Sequence, residues 1–130
     1  MTRVTCVCLV LRALYELLRY DIVHALCGFG PLQRALAGEF VPTRTLDAEE
    51  EEALCDAVLT ATCLYWKPVM CLQRSYCTLR LFRSLGGDAR MVIGYRPVPF
   101  FAHAWVEVDG RVVNDSPAYQ ARLHVLHTIK

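Results

Sequence analysis

Three residues of this 130-residue chain have the types that nucleophilic chemistry needs: Cys71, His103 and Asp115. A thiol attacks only as the thiolate, so it needs a base to take its proton. That base, an imidazole, needs an acceptor on its second nitrogen to fix the ring and its tautomer. Cys71 opens a stretch of helical pattern, where unpaired backbone N–H groups and the positive end of the helix dipole favour the thiolate. His103 sits inside an apolar run, flanked by Ala102, Ala104 and Trp105. Burying an imidazole there costs energy unless it is hydrogen-bonded. Asp115 closes the segment that returns after Asp109-Gly110. Taken singly, each has a plainer reading: a small buried hydrophobe, a satisfied core histidine, and a turn or cap residue.

Other chemistries find less support. The seven cysteines (6, 8, 27, 55, 63, 71, 77) include no C-x-x-C pair, and their odd number suggests reduced thiols of a cytoplasmic protein. His124 and His127, three apart in a strand, are expected on opposite faces, which argues against a metal pair. Cys77 falls off the face of Cys71 and reads as packing. No metal or cofactor is expected. The net charge of +1 gives no electrostatic reason to bind nucleic acid. The apolar run from Val4 to Leu11 is too short to span a membrane and lacks a small-residue cleavage site. An apolar fraction of 55% is high for a domain of this size and suggests an exposed partner surface.

The elements that must position the three residues are legible as patterns. Leu72, Tyr76, Leu79, Phe82 and Leu85 form one stripe, bounded by Pro68 before it and Gly86 after it, and predict the helix that Cys71 begins. Upstream, residues 3 to about 26 predict a helix. Its stripe is Val7, Val10, Leu11, Leu14, Leu17 and Leu18, with Arg3, Arg12, Glu16 and Arg19 on the wetter side. A short turn of helix is expected from Leu32 to Ala37, ending at Gly38. Asp47 with Glu50 predicts a capping box for a helix burying Leu54, Val58, Ala61 and Tyr65, and Glu49 to Glu52 would lie at its positive end. After Gly86-Gly87 the period changes to that of strands: 89–96, then the hairpin 100–108 and 111–114, and a last strand near 123–129, with a loop or short helix at 117–122. The prediction is one α+β domain spanning 1–130, with helices through 66, then the Cys71 helix and an antiparallel sheet.

Several motifs resemble one family jointly: Cys71-Leu72-x-Arg74-Ser75, Gly-Gly-Asp-Ala-Arg90-Met-Val-Ile-Gly94, Phe101-Ala-His103-Ala-Trp-Val-Glu-Val and Gly110-Arg-Val-Val-Asn-Asp115. Together they are similar to the transglutaminase-like cysteine peptidases that remove the leader from lasso peptide precursors. The resemblance implies a transglutaminase/papain-like α+β fold, with Cys71 as nucleophile, His103 as base and Asp115 as orienting carboxylate. It also implies a cytoplasmic enzyme acting on a ribosomally made precursor peptide. The form implied is the split one, in which a separate leader-recognition protein holds the substrate, with the lasso cyclase as a further candidate partner. The alternatives are a transglutaminase-like acyltransferase using the same residues, or a non-catalytic scaffold of the same fold. Backbone N–H groups, including that of Cys71, would hold the oxyanion, with Trp66 as a candidate to complete the site.

The hairpin register decides whether Asp115 can serve. A two-residue loop at Asp109-Gly110 pairs His103 with Ser116 and puts Asp115 on the other face. A three-residue loop with Gly110 left-handed sets Glu107 opposite Arg111 and His103 opposite Asp115, and is the register expected. Asn114 is the rival orienting residue.

Overall fold

A computed structural model describes residues 3–37 and 40–129. The element order is α1 (Arg3–Cys27), α2 (Gly30–Ala37), α3 (Ala48–Leu64), α4 (Cys71–Ser84), β1 (Arg90–Pro97), β2 (Phe100–Val108), β3 (Arg111–Val112), α5 (Ala118–Arg122) and β4 (His124–Ile129). The four strands form one antiparallel sheet in the order β3-β2-β1-β4. This is the α+β arrangement that the change of period predicts. The expected stop of α2 at Gly38 lies outside the described residues.

α4 is the centre of the molecule. Tyr76, Leu79 and Phe82 are buried as its stripe predicts, but so are Gln73, Ser75, Cys77, Thr78 and Leu81, because α4 is enclosed by α1, α3 and the sheet. Its polar positions therefore bond to what surrounds them: Gln73 Nε2 donates to the Leu17 carbonyl at 3.0 Å and Tyr76 Oη to that of Leu32 at 3.2 Å. Such bonds are what make burial of polar groups tolerable. The helix ends as expected, with Gly86 at φ 81°. A Cβ there would lie 2.1 Å from Thr43 Oγ1, so glycine is required by conformation and by space.

α3 begins with the predicted capping box. The Glu50 amide donates to Asp47 Oδ1 at 2.8 Å, and the Glu50 carboxylate reaches back to the Asp47 amide. Leu54, Ala57, Val58 and Ala61 form its buried side.

α1 departs from its expected faces. Leu17 is buried with Leu9, Ala13 and Tyr20, whereas Val7, Leu11 and Leu18 are exposed. Glu16, placed by its charge on the wet side, is fully buried. It accepts from Arg12 at 3.2 Å and from Arg80 of α4 at 3.3 Å, and this pairing makes the burial affordable. The helix thus has two apolar sides, and only one of them enters the core.

Candidate active site

β2 carries His103. Strand alternation puts Phe101, His103, Trp105 and Glu107 on one face, while Val106 and Val108 enter the helix-packed core on the other. Along that face the rings stack, with Phe101 and Trp105 centred 6.0 and 6.5 Å from His103. Tyr119 of α5 covers the imidazole at 4.0 Å. Across the ladder from His103 is Gly94, where a Cβ would sit 2.6 Å from the Trp105 ring, so the close approach needs glycine. The row ends at Glu107, whose carboxylate accepts from Trp105 Nε1 at 2.7 Å and from Arg90 at 3.4 Å.

The hairpin register differs from the expected one. Val108 pairs with Arg111 and Glu107 with Val112, so the loop is the two residues Asp109 and Gly110. Both have positive φ, 51° and 77°, as the tight primed turn demands. Arg111 does not face Glu107; it reaches Glu51 at the start of α3, at 3.1 Å. Continued regularly, this register would pair His103 with Ser116 and turn Asp115 away. The ladder does not continue. β3 stops at Val112, and one more bond follows, from the Val113 amide to the Val106 carbonyl at 3.0 Å. The reciprocal donor, the Val106 amide, bonds to Asn114 Oδ1 at 2.8 Å instead of a backbone carbonyl. A side-chain amide thus substitutes for the next rung, and the backbone bends at Asn114 and Asp115.

That bend delivers Asp115 to His103. Nε2 of His103 and Oδ2 of Asp115 are 2.6 Å apart, with both side chains largely buried. Arg74 Nη2 donates to the same oxygen at 2.8 Å, while Oδ1 takes the Ser116 amide at 2.8 Å. Arg74 Nε is buried with no hydrogen-bond partner, so the guanidinium is anchored through Asp115. The other end of the bend is tied to the helix: Asn114 Nδ2 donates to Ser75 Oγ at 3.1 Å, and Ser75 Oγ donates to the Ala104 carbonyl at 3.1 Å.

Cys71 is the first residue of α4 and half-buried. It stands four residues, one helical turn, before Ser75, the residue that bonds β2. Met70 at the N-cap makes no side-chain capping bond, and the first intrahelical bond runs from the Arg74 amide to the Met70 carbonyl. The amides of Cys71, Leu72 and Gln73 precede that first rung and so have no place in the helical ladder. Among the described residues, the thiol has no hydrogen-bond partner. The structure therefore brings His103 and Asp115 into contact and sets Cys71 at the adjoining helix start, with no bond from thiol to imidazole.

The other thiol of α4 is of a different kind. Cys77 is buried, and burial first, then Glu16 and Asp21, pushes its pKa far up. It is packing, as its position predicts. Trp66 stands three-quarters exposed, with the Lys67 ammonium 5.7 Å from its ring. His124 and His127 pair with Tyr95 and Ile93, which share a face of β1. A bulge between these pairs undoes the expected opposition of the two rings. His127 contacts Gln33 and His124 stacks on Tyr95, and among the described residues no group of three or more His, Cys, Asp or Glu could hold a metal ion.

Sequence reasoning assigned no role to Arg74 or Tyr119, and gave Asn114 only the rival's part of orienting the imidazole. The signal for Arg74 was present: an arginine one turn after Cys71, in a helix buried almost all round. Nothing local announces Tyr119, whose contact spans 16 residues.

The pattern of the Transglutaminase-like superfamily matches residues 16–128. The microcin J25-processing protein McjB of Escherichia coli is 46% identical over 59 residues, which are 45% of this chain and 28% of that relative. The matched stretch is thus less than a third of the relative's length. No solved structure is found to match the chain. Among the described residues, no helix is long and apolar enough to cross a membrane.

Proposed function

Because the chain belongs to the transglutaminase-like superfamily, we propose that it is a cysteine peptidase that removes the leader from a ribosomally made lasso peptide precursor. The observation that carries the proposal is the 2.6 Å contact of His103 Nε2 with Asp115, at the start of the helix headed by Cys71. The relative named for microcin J25 processing supports the substrate class. The family motifs containing Cys71, His103 and Asp115 support the roles.

With Nε2 engaged by the carboxylate, Nδ1 is the nitrogen left to exchange a proton with the thiol. Cys71 Sγ, its proton passed to His103, attacks the scissile carbonyl carbon at the leader–core junction. The oxyanion is held by first-turn amides of α4, including that of Cys71. On collapse the C–N bond breaks, the imidazolium protonates the leaving amine, and the core peptide departs with a free N-terminus. A water then gives its proton to His103 and hydrolyses the thioester, releasing the leader as a carboxylic acid and restoring the thiol. Arg74 keeps Asp115 in place while the imidazole changes charge. The bond from thiol to imidazole forms when the substrate seats, a tightening common in sites that are loose when empty.

The test is cleavage of a precursor by Cys71→Ala, Cys77→Ala and the native chain. Cys71→Ala is expected to fold and to show no cleavage, and Cys77→Ala to retain it. Activity in Cys71→Ala would remove the nucleophile from the mechanism. For the partner, adding a separate leader-binding protein is expected to accelerate processing of the full precursor by raising its effective concentration. A leader shortened to lack the bound segment should lose that gain. Equal rates with and without the protein would count against the split form.

A further inference from the structure

The outer side of α1 is an apolar stripe with no partner among the described residues. Val7, Leu11, Tyr15, Leu18, Ile22 and Leu26 are each between 47 and 79% exposed. At 100° per residue all six fall within about a quarter-turn of the helix, directly opposite the side that buries Leu9, Ala13, Leu17 and Tyr20. Cys8 and Ala25, also exposed, fill its two edges. The stripe spans 20 residues from Val7 to Leu26, roughly 28 Å along the axis.

From these observations we infer that this face is an interface between two copies of the chain, packed as an antiparallel helix pair about a two-fold axis. The spacing of the stripe is 4-4-3-4-4, which reads the same in both directions. A two-fold interface requires a surface that complements itself, so that residue i meets j and j meets i. Centred between Glu16 and Leu17, a reversed copy sets Leu11 beside Ile22 and Tyr15 beside Leu18 on either side of the axis, with Val7 and Leu26 at the two ends. Every large residue of the stripe meets another.

Area and charge favour the same occupant. The six residues are each about half exposed or more, and would supply the apolar centre of an interface that in its standard size buries about 800 Å² per partner, with rim residues adding the remainder. A charged partner would need unspent charge beside the stripe. Of the charged side chains bordering it, Arg12 is bonded to Glu16, Arg19 to Tyr76 and Asp21 to Lys67 and Tyr65, while exposed Arg3 lies one turn beyond its end. The Arg12 guanidinium also lies over Tyr15, 5.9 Å from the ring centre, which limits where that ring can go. What is left is an apolar, self-matching surface.

The experiment is the mass of the purified chain in solution by sedimentation or light scattering, read over a wide concentration range. The native chain should weigh twice its 14.7 kDa. Leu11→Lys and Ile22→Glu, each at an exposed site, should each weaken self-association by about a hundredfold, because each buries an unpaired charge in the pair. Their circular dichroism should match that of the native chain. Mixing the two variants should restore dimers, since only the antiparallel register puts Lys at 11 beside Glu at 22. Val125→Lys, on the exposed side of β4, should change nothing. A native chain that stays monomeric, a dimer that survives Leu11→Lys, or a mixture that fails to pair would each overturn the inference. A different protein captured by this face while the chain alone is monomeric would overturn it too.

Discussion

Two carboxylates of this molecule are each held by two basic side chains, and they serve different ends. Glu16 is fully buried and divides its oxygens between Arg12 and Arg80, tying α1 to α4. Asp115 keeps some contact with solvent, and His103 and Arg74 converge on one of its oxygens. Guanidinium groups stay protonated at any pH a folded protein meets, so neither partner of Glu16 can take up or give up a proton. Replacing one of them by imidazole, with an unbonded ring nitrogen left over, turns an ion-pair knot into a group that can pass a proton. On the proposed reading, what separates a site from a strut is the imidazole partner and the opening to water.

The comparison breaks most readily at Asp115. Asp115→Ala should lower turnover on the scale of about 10⁴, the loss known when a serine triad is deprived of its aspartate. Its thermal stability should fall little. Glu16→Ala should do the reverse, removing two charge-assisted bonds that tie α1 to α4 at a cost of about 1.5–3 kcal/mol in stability, with the turnover of the folded fraction unchanged. Precursor cleavage read beside a denaturant melt separates the two, and a large loss of turnover in Glu16→Ala would erase the distinction.

Arg74 sharpens it. The guanidinium gives Asp115 one charge-assisted bond, so Arg74→Met should lower turnover by about ten- to a hundredfold, with KM little changed because no peptide contact is removed. A change confined to KM would mean that Arg74 binds the peptide instead of positioning Asp115.

The closed side of the molecule should also set an alkaline limit. Burial pushes the Tyr20 phenol up to about 12 from 10.0 and the Cys55 thiol up to about 12 from 9.0, and carries Cys77 further still. A group that holds its proton longer when folded makes the folded chain bind more protons than the unfolded one, so stability falls as pH climbs. The decline should begin near pH 9, where unfolded thiols ionise, and continue to about 12. Melts at stepped pH would show it, and a flat stability curve from pH 9 to 12 would remove burial as the cause.

How far the site could be read from residue order follows from where its parts lie. α3 and α4 were legible because caps, stop glycine and stripe are local signals that their surroundings did not contradict. The faces of α1 were not, because charge places Glu16 outside unless Arg80, 64 residues away, is known to reach it. The pairing of His103 with Asp115 was legible as a set of types in the right order. Its register was not. Choosing the loop by which residues it would align assumed that the ladder continues to Asp115. The loop is the tight one that Asp109-Gly110 favours, and a single asparagine side chain ends the ladder early.

That asparagine is the smallest and most specific test. By type, Asn114 could have been the group that orients the imidazole. In the fold both ends of its amide are turned elsewhere, Oδ1 to the Val106 amide and Nδ2 to Ser75 Oγ, and it is Asp115 that bonds His103. Asn114→Ala leaves one buried backbone donor and one buried hydroxyl short of a partner, a loss of about 1–3 kcal/mol in stability. Turnover should fall by less than tenfold, because Asp115 still bonds His103 and is still steered by Arg74 and the Ser116 amide. Asn114→Asp should restore the acceptor for Val106 and recover part of the stability, whereas a merely lost contact with the ring would not respond. If Asn114→Ala instead cost as much turnover as Asp115→Ala, the bend would be the element that aligns the imidazole, and the contrast between strut and site would have to be redrawn around the backbone.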